Sequence, residues 1–372
     1  MPNLLRQTVF LTLSIILRWP LFALIGLIGR TGIFKTVFLV YATDEIEALG
    51  ICPNISFIRR YLSGKPTPSG LIMNGWLPMG IYLVIPDLTK DLALKKNRHI
   101  AEEIVRRMHW FRRLAGARTI GLAGQLGPIF SRRHNIPMEP PIFASTFGNV
   151  FSINESINWI ARQKSSFLHR QKIAVIGRGE LGNSLQEHLK SQGYCCDLID
   201  VRYTIKGKVV LTHNDKNREQ LKGVDFVINL MPKGEEFMAS NVGNIIPPNA
   251  SIIDFSRPPI PVDQVVQKVY MGNRIRRPNL RFIFSLPGGW TQKQLPACSL
   301  PSILAAMTGQ ISNNLDSFCL LARQQSFSTA LVDTPITTQT EKQSFWNKLE
   351  DSFEFETDEE LTAEGVELLS QK

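Results

Sequence analysis

Apolar residues occur along the chain in short runs and in stretches with helical periodicity. Thr36 to Tyr41 (TVFLVY) and Ile81 to Ile85 (IYLVI) predict buried strands, because both runs are apolar and short. Ala93 to Leu114 predicts a helix, with apolar residues at every third or fourth position. Gly64 to Gly80 is rich in glycine and proline and predicts a loop. This alternation of strands and helices is typical of an α/β fold.

The second half of the chain contains a glycine motif between a strand and a helix. Lys172 to Ile176 (KIAVI) predicts a buried parallel strand, and a G-x-G-x-x-G follows at once. Such glycines permit a tight turn and let a pyrophosphate approach the backbone at a helix N-terminus. The motif predicts a Rossmann-type unit; the competing interpretation is a glycine turn in an α/β domain that binds no nucleotide. The predicted cofactor-binding loop is Gly177, Arg178, Gly179, Glu180, Leu181 and Gly182.

Asp200 and Arg202, at the end of the next strand, give conflicting indications of which cofactor binds. Asp200 stands where a carboxylate binds the ribose hydroxyls of NADH, and Arg202 is placed to bind the 2′-phosphate of NADPH. We therefore expect either cofactor to bind. A later strand, Asp225 to Leu230, leads to Met231 and Pro232 at the sheet edge where the cofactor is expected.

The first thirty residues are apolar, and Arg18 is the only charged residue from Gln7 to Gly29. It divides the segment into two runs that are each too short to cross a bilayer, which takes about 20 apolar residues. An interfacial segment fits this pattern best, and a buried helix or an oligomer contact is the alternative. We therefore expect a cytoplasmic protein that is peripheral on a membrane.

The charge of the chain is uneven. Its net charge is +10, but residues from 341 onward carry −7, so the preceding residues carry +17. Such a body attracts anionic partners such as phosphates, acidic carrier proteins and lipid headgroups. Nucleic acid is not expected, because the chain has no recognition motif for it. The five cysteines include no C-x-x-C pair, so neither a metal site nor a disulfide framework is predicted.

Several short motifs, in a matching order, resemble one known family. From about Thr36 to Phe318 the chain resembles the cyanobacterial long-chain acyl-[acyl-carrier-protein] reductases, which form fatty aldehydes. It also resembles a wider group of predicted amino-acid-dehydrogenase-like proteins. The resemblance rests on Gly121-Leu122-Ala123-Gly124, Ile129-Phe130, Ser145-Thr146-Phe147-Gly148-Asn149, Met231-Pro232-Lys233-Gly234, Gly288-Gly289 and Ala297-Cys298.

This resemblance implies a two-step reduction of an acyl thioester on a carrier protein. Cys298 would accept the acyl group, and NADPH would then release the aldehyde. Lys233 would act near the nicotinamide or the carbonyl, and Thr146 and Asn149 would position the substrate. The sequence itself supports the role of Cys298, because this thiol stands at a predicted helix N-terminus, which stabilises a thiolate.

The predicted architecture has two α/β domains. Residues 1–30 form a membrane-associating segment, 31–160 a substrate domain and 165–295 a Rossmann NAD(P)-binding domain. Residues 296–326 form a return helix that completes the substrate domain, and 327–372 a mostly disordered acidic tail. The predicted function is NAD(P)H-dependent reduction of a fatty acyl thioester to an aldehyde. The alternatives are a dehydrogenase of a small hydroxy or amino acid without a covalent step, and a non-catalytic membrane-attached nucleotide-binding scaffold.

Overall fold

The computed structural model describes residues 8, 10–43, 45, 48–49, 52–164, 171–200, 202–205, 208–211, 215–283 and 291–331. The predicted acidic tail lies almost entirely outside these residues. The described chain divides into two compact units, and neither is a single stretch of sequence. The first unit comprises Met1–Ser145 and Arg277–Ile311, and the second Thr146–Arg276 and Ser312–Thr338.

Sixteen strands are present among the described residues. Most are short and apolar, and the predicted strands are confirmed. In chain order they are β1 (Thr36–Ala42), β2 (Thr67–Asn74), β3 (Leu77–Leu88), β4 (Thr119–Leu122), β5 (Ile142–Phe143), β6 (Lys172–Ile176), β7 (Cys195–Ile199), β8 (Arg202–Ile205), β9 (Lys208–Leu211), β10 (Phe226–Asn229), β11 (Ser251–Asp254), β12 (Lys268–Met271), β13 (Arg274–Arg276), β14 (Leu280–Ile283), β15 (Leu295–Pro296) and β16 (Ser328–Thr329).

The α-helices lie between these strands, as an α/β fold requires. Short π- and 3₁₀-helical turns accompany them. In chain order the α-helices are α1 (Arg18–Gly29), α2 (Ser56–Leu62), α3 (Thr89–Leu92), α4 (Arg98–Leu114), α5 (Leu126–Pro128), α6 (Thr146–Gln163), α7 (Glu180–Ser191), α8 (Asp215–Leu221), α9 (Gly234–Ala239), α10 (Leu300–Thr308) and α11 (Leu315–Gln324).

The first unit is built on one mixed sheet with the strand order β14-β2-β3-β1-β4-β5. The strands from β3 to β5 are parallel, and β2 is antiparallel to both of its neighbours. The core lies where α4 covers the sheet: Ile104 and Met108 of the helix pack in one cluster with Val37 and Leu39 of β1.

The predicted loop over Gly64 to Gly80 is wrong, because most of it is the hairpin of β2 and β3. Pairing on both sides of β2 outweighs its glycine and proline content. The strand tolerates Pro68 because the register shifts between Pro68 and Gly70, where a backbone donor is not required.

The second unit has a parallel sheet with the order β12-β11-β10-β6-β7. All four strand pairs are parallel. Two apolar layers cover it, one containing Leu185 and Leu189 of α7 and the other Phe237 of α9. The strand order is that of a Rossmann unit without its third strand.

The boundaries of the two units differ from the predicted domains at α6. Most of this helix falls within the predicted substrate domain, residues 31–160, yet the helix lies in the second unit. The reason is its apolar face: Val150, Ile153 and Ile157 pack with Ile173 of β6 and Leu185 of α7.

The C-terminal part also differs from the predicted domains. Strand β14 falls within the predicted cofactor domain, 165–295, but pairs with β2 of the first unit. The predicted return helix, 296–326, is two helices: Gly309, with a φ of 70°, ends α10, and the Asn314 side chain caps α11. Only α10 belongs to the first unit, and α11 belongs to the second.

Candidate functional site

The glycine loop between β6 and α7 has the three features that bring a backbone close to a pyrophosphate. Gly177 has a φ of 117°, which residues with a Cβ rarely adopt. A Cβ at Gly182 would overlap the carbonyl oxygen of Gly177, so only glycine lets α7 pack this closely. A Cβ at Gly179 would have no atom within 4 Å, so the backbone there faces open space.

The strand order of the second unit reverses at this loop. Strand β6 lies between β7 and β10, and open α/β sheets bind ligands at such a point, beyond the C-terminal ends of the strands. The Gly177 N–H donates to Ile199 O at 2.9 Å, and the Leu230 N–H donates to Ile176 O at 2.9 Å. The loops that follow β7, β6 and β10 are therefore side by side.

Asp200 lies at this same edge, directly after β7 and half-buried. Its place agrees with the predicted contact to a ribose. The backbone of Arg202 belongs to β8, but its side chain lies outside the described residues, so its predicted contact with a 2′-phosphate stays a prediction.

The two predicted substrate-positioning residues lie on α6. The Thr146 hydroxyl donates to Glu180 Oε1 at 3.1 Å, so it contacts the glycine loop and holds a carboxylate at the start of α7. Asn149 is buried one turn further along α6. Arg178 is exposed, and Leu181 is half-buried against the core of the unit.

The segment after β10 turns its residues in different directions. Met231 is buried in the core, whereas Pro232 and Lys233 are exposed. The Arg257 N–H donates to Pro232 O at 2.9 Å, which ties this segment to the loop after β11. Lys233 is thus presented at the ligand edge of the sheet by a segment that is held on both sides.

A buried polar pair supports that edge, and none of the sequence motifs indicated it. Asn229 and Asp254 end the neighbouring strands β10 and β11 and are fully buried. The Asn229 amide donates to Asp254 Oδ1 at 2.8 Å, and its own Oδ1 accepts from the Met231 N–H at 3.2 Å. Asp254 also accepts from the Ser256 N–H at 2.9 Å and the Ile260 N–H at 2.8 Å. The pair therefore orders the loops after both strands.

Burial raises the pKa of Asp254, and its hydrogen bonds from Ile260, Ser256 and Asn229 partly offset this shift. The signal that the sequence does contain is positional. In both runs, FVIN and SIID, the last residue is polar and the residues directly before it are apolar. A polar side chain at the C-terminal end of a buried parallel strand lies at the ligand edge.

Cys298 lies in the first unit, in the 3₁₀ turn Ala297–Ser299 that immediately precedes α10. Its side chain is half-buried. The turn is held by the Ser299 hydroxyl, which donates to Pro296 O at 2.7 Å. The helix start is anchored to the sheet, because the Thr119 hydroxyl donates to Ser302 O at 2.9 Å.

A tyrosine side chain approaches this turn from β3. Tyr82 is 4% exposed. Burial raises the pKa of Tyr82 well above its usual value; the nearby Cys298 raises it further, and Ser299 lowers it. The phenol therefore remains a protonated donor beside the thiol.

The structure thus brings most of the predicted cofactor residues together at one sheet edge of the second unit. Thr146 and Lys233 belong to the same unit, whereas Cys298 belongs to the first. The glycine pair at 288 and 289, on which the family resemblance partly rests, lies outside the described residues.

The described residues contain neither a metal-binding cluster nor a membrane span. No group of three or more His, Cys, Asp and Glu side chains there has an arrangement that could hold a metal ion. Likewise, no helix in these ranges has the length and apolar character needed to cross a membrane.

No protein-family model and no curated protein matches the chain. Solved structures resemble it only distantly. A dipicolinate synthase subunit from Bacillus halodurans is 12% identical over 42% of this chain, with a TM-score of 0.26, and the match spans 60% of that protein. The bifunctional 5,10-methylenetetrahydrofolate dehydrogenase/cyclohydrolase from Thermoplasma acidophilum is 14% identical over 63% of this chain and 76% of its own, with a TM-score of 0.30.

The Trypanosoma brucei N5,N10-methylenetetrahydrofolate dehydrogenase-cyclohydrolase, solved with NADP and an inhibitor, is 11% identical. The match covers 86% of this chain and 96% of that protein, with a TM-score of 0.33. The assignment of fold therefore rests on the strand order and the glycine loop described above. By these features the chain is a two-unit α/β protein with a Rossmann-type nucleotide-binding unit.

Proposed function

We propose that this protein is an NAD(P)-dependent oxidoreductase that acts as a dehydrogenase, without a covalent step. One observation carries the proposal: Gly177, Gly179 and Gly182 meet the three separate demands of a dinucleotide loop, at the point where the strand order reverses. A nicotinamide dinucleotide supplies or accepts a hydride when bound. The substrate class is a small hydroxy or amino acid.

The residues of the second unit have distinct roles in this proposal. The open backbone at Gly179 and the N-terminus of α7 receive the pyrophosphate. Asp200 binds the ribose hydroxyls, and the contact between Arg202 and a 2′-phosphate that the sequence predicts would allow NADPH to bind as well as NADH. The exposed ammonium of Lys233 polarises the substrate carbonyl, and Asn229 with Asp254 positions the segment that carries it.

Fluorescence titration of the full chain with NADH and with NADPH tests the proposal. Gly179→Val places a side chain in the open space without overlapping any atom within 4 Å. We expect it to weaken the binding of both cofactors by about tenfold or more, because the loss of even one hydrogen bond to a charged group costs about 1.5–3 kcal/mol. The melting temperature should not change. A wild-type chain that binds neither cofactor overturns the proposal and favours a non-catalytic scaffold that keeps the nucleotide-binding fold but not the cofactor.

A second candidate, reduction of a fatty acyl thioester to an aldehyde, is favoured by the surroundings of Cys298. The thiol precedes α10, whose N-terminus stabilises a thiolate, and the buried Tyr82 hydroxyl lies beside it. The thiolate attacks the thioester carbonyl carbon, a new C–S bond forms, and the carrier thiolate leaves and takes up a proton. Tyr82 donates a hydrogen bond to the carbonyl oxygen. A reduced nicotinamide cofactor, when bound, would supply the hydride that releases the acyl group as an aldehyde and leaves Cys298 as the free thiolate.

Intact-protein mass spectrometry after incubation with an acyl thioester, without cofactor, distinguishes the two candidates. The thioester route predicts an acyl adduct on the wild-type chain and none on Cys298→Ser, since a serine hydroxyl is a poor nucleophile without an added base. Cys195→Ser is the matched control, because Cys195 is an exposed thiol in the other unit. Absence of any adduct on the wild-type chain excludes the covalent route and leaves the dehydrogenase.

A further inference from the structure

Helix α1 is apolar on both its faces, which is unusual for a helix on a protein surface. Its inner face packs into the core of the first unit through Phe22 and Ile25. The outer face is also apolar: Trp19 is 72% exposed, Leu24 52% and Leu27 64%. Twelve residues of helix span about 18 Å, less than the roughly 30 Å of a bilayer core. The helix is therefore suited to lie on a bilayer surface.

The exposed apolar area continues beyond this helix. Ile16, just before α1, is 71% exposed, and Phe57 of α2 is 78% exposed. The two segments are neighbours, because Phe10, Leu11 and Ile15 pack in one cluster with Leu62. We call Ile16, Trp19, Leu24, Leu27 and Phe57 the apolar surface. Exposed apolar side chains grouped on neighbouring segments are typical of an interaction site.

Three cations lie together at the start of α1. Arg18 is 6% exposed, and its guanidinium lies 5.0 Å from the ring centre of Phe22, which in turn contacts Phe111 of α4 at 5.5 Å. Arg107 is one turn before Phe111 on α4. Lys65 follows Gly64, and a Cβ at Gly64 would lie 3.6 Å from Cγ of Glu103, one turn before Arg107 on α4. We call Arg18, Lys65 and Arg107 the cation cluster.

Within the described residues, the cations of this cluster outnumber the acidic side chain beside them, Glu103. The hydrogen bond of Arg18 is to the Ser14 carbonyl, at 3.4 Å, and Lys65 stands 3.6 Å from the ring centre of Tyr61. Glu103 is beside the cluster but already binds Arg106 as well as Arg107. Burial and the neighbouring Arg107 lower the pKa of both Arg18 and Lys65. An anion bound here would relieve this repulsion.

We propose that the apolar surface docks on a lipid bilayer and that the cation cluster binds the phosphate of an anionic lipid headgroup. Apolar side chains beside an excess of positive charge complement the boundary between acyl chains and anionic headgroups. A second copy of the chain complements them poorly, because the apolar surface that it would present contains no acidic side chain to pair with the cation cluster. The inference does not depend on the proposed enzymatic function.

Co-sedimentation of the full chain with vesicles tests the proposal. Vesicles of phosphatidylcholine alone are compared with vesicles that also contain phosphatidylglycerol, at low and at high salt. We expect binding to the anionic vesicles and a loss of that binding at high salt, because salt screens exposed charges. Lys65→Gln and Arg107→Gln should each weaken the binding about fivefold, which corresponds to about 1 kcal/mol per cation near a membrane surface.

Two matched controls separate docking from general effects. Trp19→Ala should weaken vesicle binding, whereas Trp76→Ala should not; Trp76, in the turn between β2 and β3, is 76% exposed and outside the apolar surface. Arg98→Gln should weaken binding less than Arg107→Gln does, because Arg98 lies outside the cation cluster and pairs with Glu102 at 2.8 Å. Equal thermal melting of all variants establishes that each is folded.

Three results would overturn the proposal. Equal binding to neutral and anionic vesicles means that the cation cluster recognises no headgroup. No binding to either, together with a dimer in sedimentation that Trp19→Ala dissociates, makes this surface a contact between copies. No binding to either, together with capture of purified acyl carrier protein that Lys65→Gln abolishes, makes the ligand an acidic protein.

Discussion

The contact between Gly182 and Gly177 sets how closely α7 approaches the loop that precedes it. In Gly182→Ala the added methyl group meets a backbone carbonyl, which cannot rotate away. We expect a loss of about 1–3 kcal/mol in the free energy of unfolding, together with weaker binding of NADH. Urea unfolding and fluorescence titration measure the two effects. Gly243→Ala is the control, since an added Cβ there would have its nearest contacts at 3.6 and 3.7 Å. If Gly182→Ala had the stability and the NADH affinity of the wild-type chain, the role given to this contact would be wrong.

The buried carboxylate of Asp254 is fixed by hydrogen bonds from several donors, and not by close packing as Gly182 is. In Asp254→Asn, an amide group replaces one acceptor with a donor, and the N–H groups of Ser256, Ile260 and Asn229 compete for the oxygen that remains. We expect a loss of about 1–3 kcal/mol in the free energy of unfolding, the cost of an unsatisfied buried polar group. Chemical unfolding measures it. The exposed Asp263→Asn should have no effect, and equal stability of the two variants would refute the prediction.

The sequence predicted the glycine loop and Asp200 because these residues are local: the strand, the turn and the helix follow one another directly. It did not reveal the Asn229–Asp254 pair, whose members are 25 residues apart. The sequence also predicted that Cys298 lies at the start of a helix, but it could not reveal that Tyr82 reaches the same turn from β3. Contacts of this kind arise only when the sheet has formed.

Among the helices, α7 is joined to α6 and α11 by one buried side chain, His188. Its Nδ1 lies 3.2 Å from Asp316 Oδ1 of α11, and its Nε2 lies 3.2 Å from Asn154 Nδ2 of α6. A neutral imidazole satisfies both neighbours, with Nδ1–H donating to the carboxylate and Nε2 accepting from the amide. Burial lowers the pKa of His188, and this outweighs the opposite effect of Asp316.

This depressed pKa predicts a pH-dependent stability. Above about pH 6.5 the imidazole is neutral in both the folded and the unfolded chain, and its full contribution is present. As the pH falls from 6.5 through the lowered folded value, the unfolded chain binds the proton more readily, so the free energy of unfolding falls by up to about 1.4 kcal/mol per pH unit.

Unfolding curves between pH 7 and pH 5, followed by circular dichroism, measure this slope. His188→Gln should be less stable at pH 7 and should lose its share of the slope. The control is His99→Gln, because His99 is exposed on α4. A slope that persists unchanged in His188→Gln would assign the effect to other groups.

Elements were predicted best where their periodicity was strong and least where pairing decides the structure. The helix expected over Ala93 to Leu114 exists as α4, although it begins at Arg98, after α3 and a 3₁₀ turn. By contrast, the segment of β2 predicts a loop, because its glycine and proline are residues typical of turns. Its strand conformation depends on β14, more than 200 residues away along the chain.

At the scale of the whole molecule, the second unit depends on a segment far from its glycine loop. Helix α11 buries Phe318 and Cys319, and the ring of Phe318 lies 5.6 Å from that of Phe147 in α6. Strand β16 pairs with β13. The unit is therefore completed only by residues beyond 311.

A chain that ends after residue 311 should lose cofactor affinity although it keeps every residue of the glycine loop. Removing α11 exposes the apolar face of α6 and leaves His188 without Asp316. Titration with NADH measures the affinity, and limited proteolysis should cut the second unit first. A chain that ends after residue 331 is the control and should behave as the full chain. Undiminished affinity in the shorter chain would contradict this dependence.

The crossing of the chain between units also has a consequence for biosynthesis. The first unit takes β14 and α10 from residues 277–311, so its sheet stays incomplete while the ribosome makes the whole of 146–276. Until then the nascent chain exposes β2 as an unpaired edge, a template for association with other chains. We expect this polypeptide to bind a chaperone during translation. Synonymous rare codons that slow elongation before codon 277 should therefore lower the yield of folded protein.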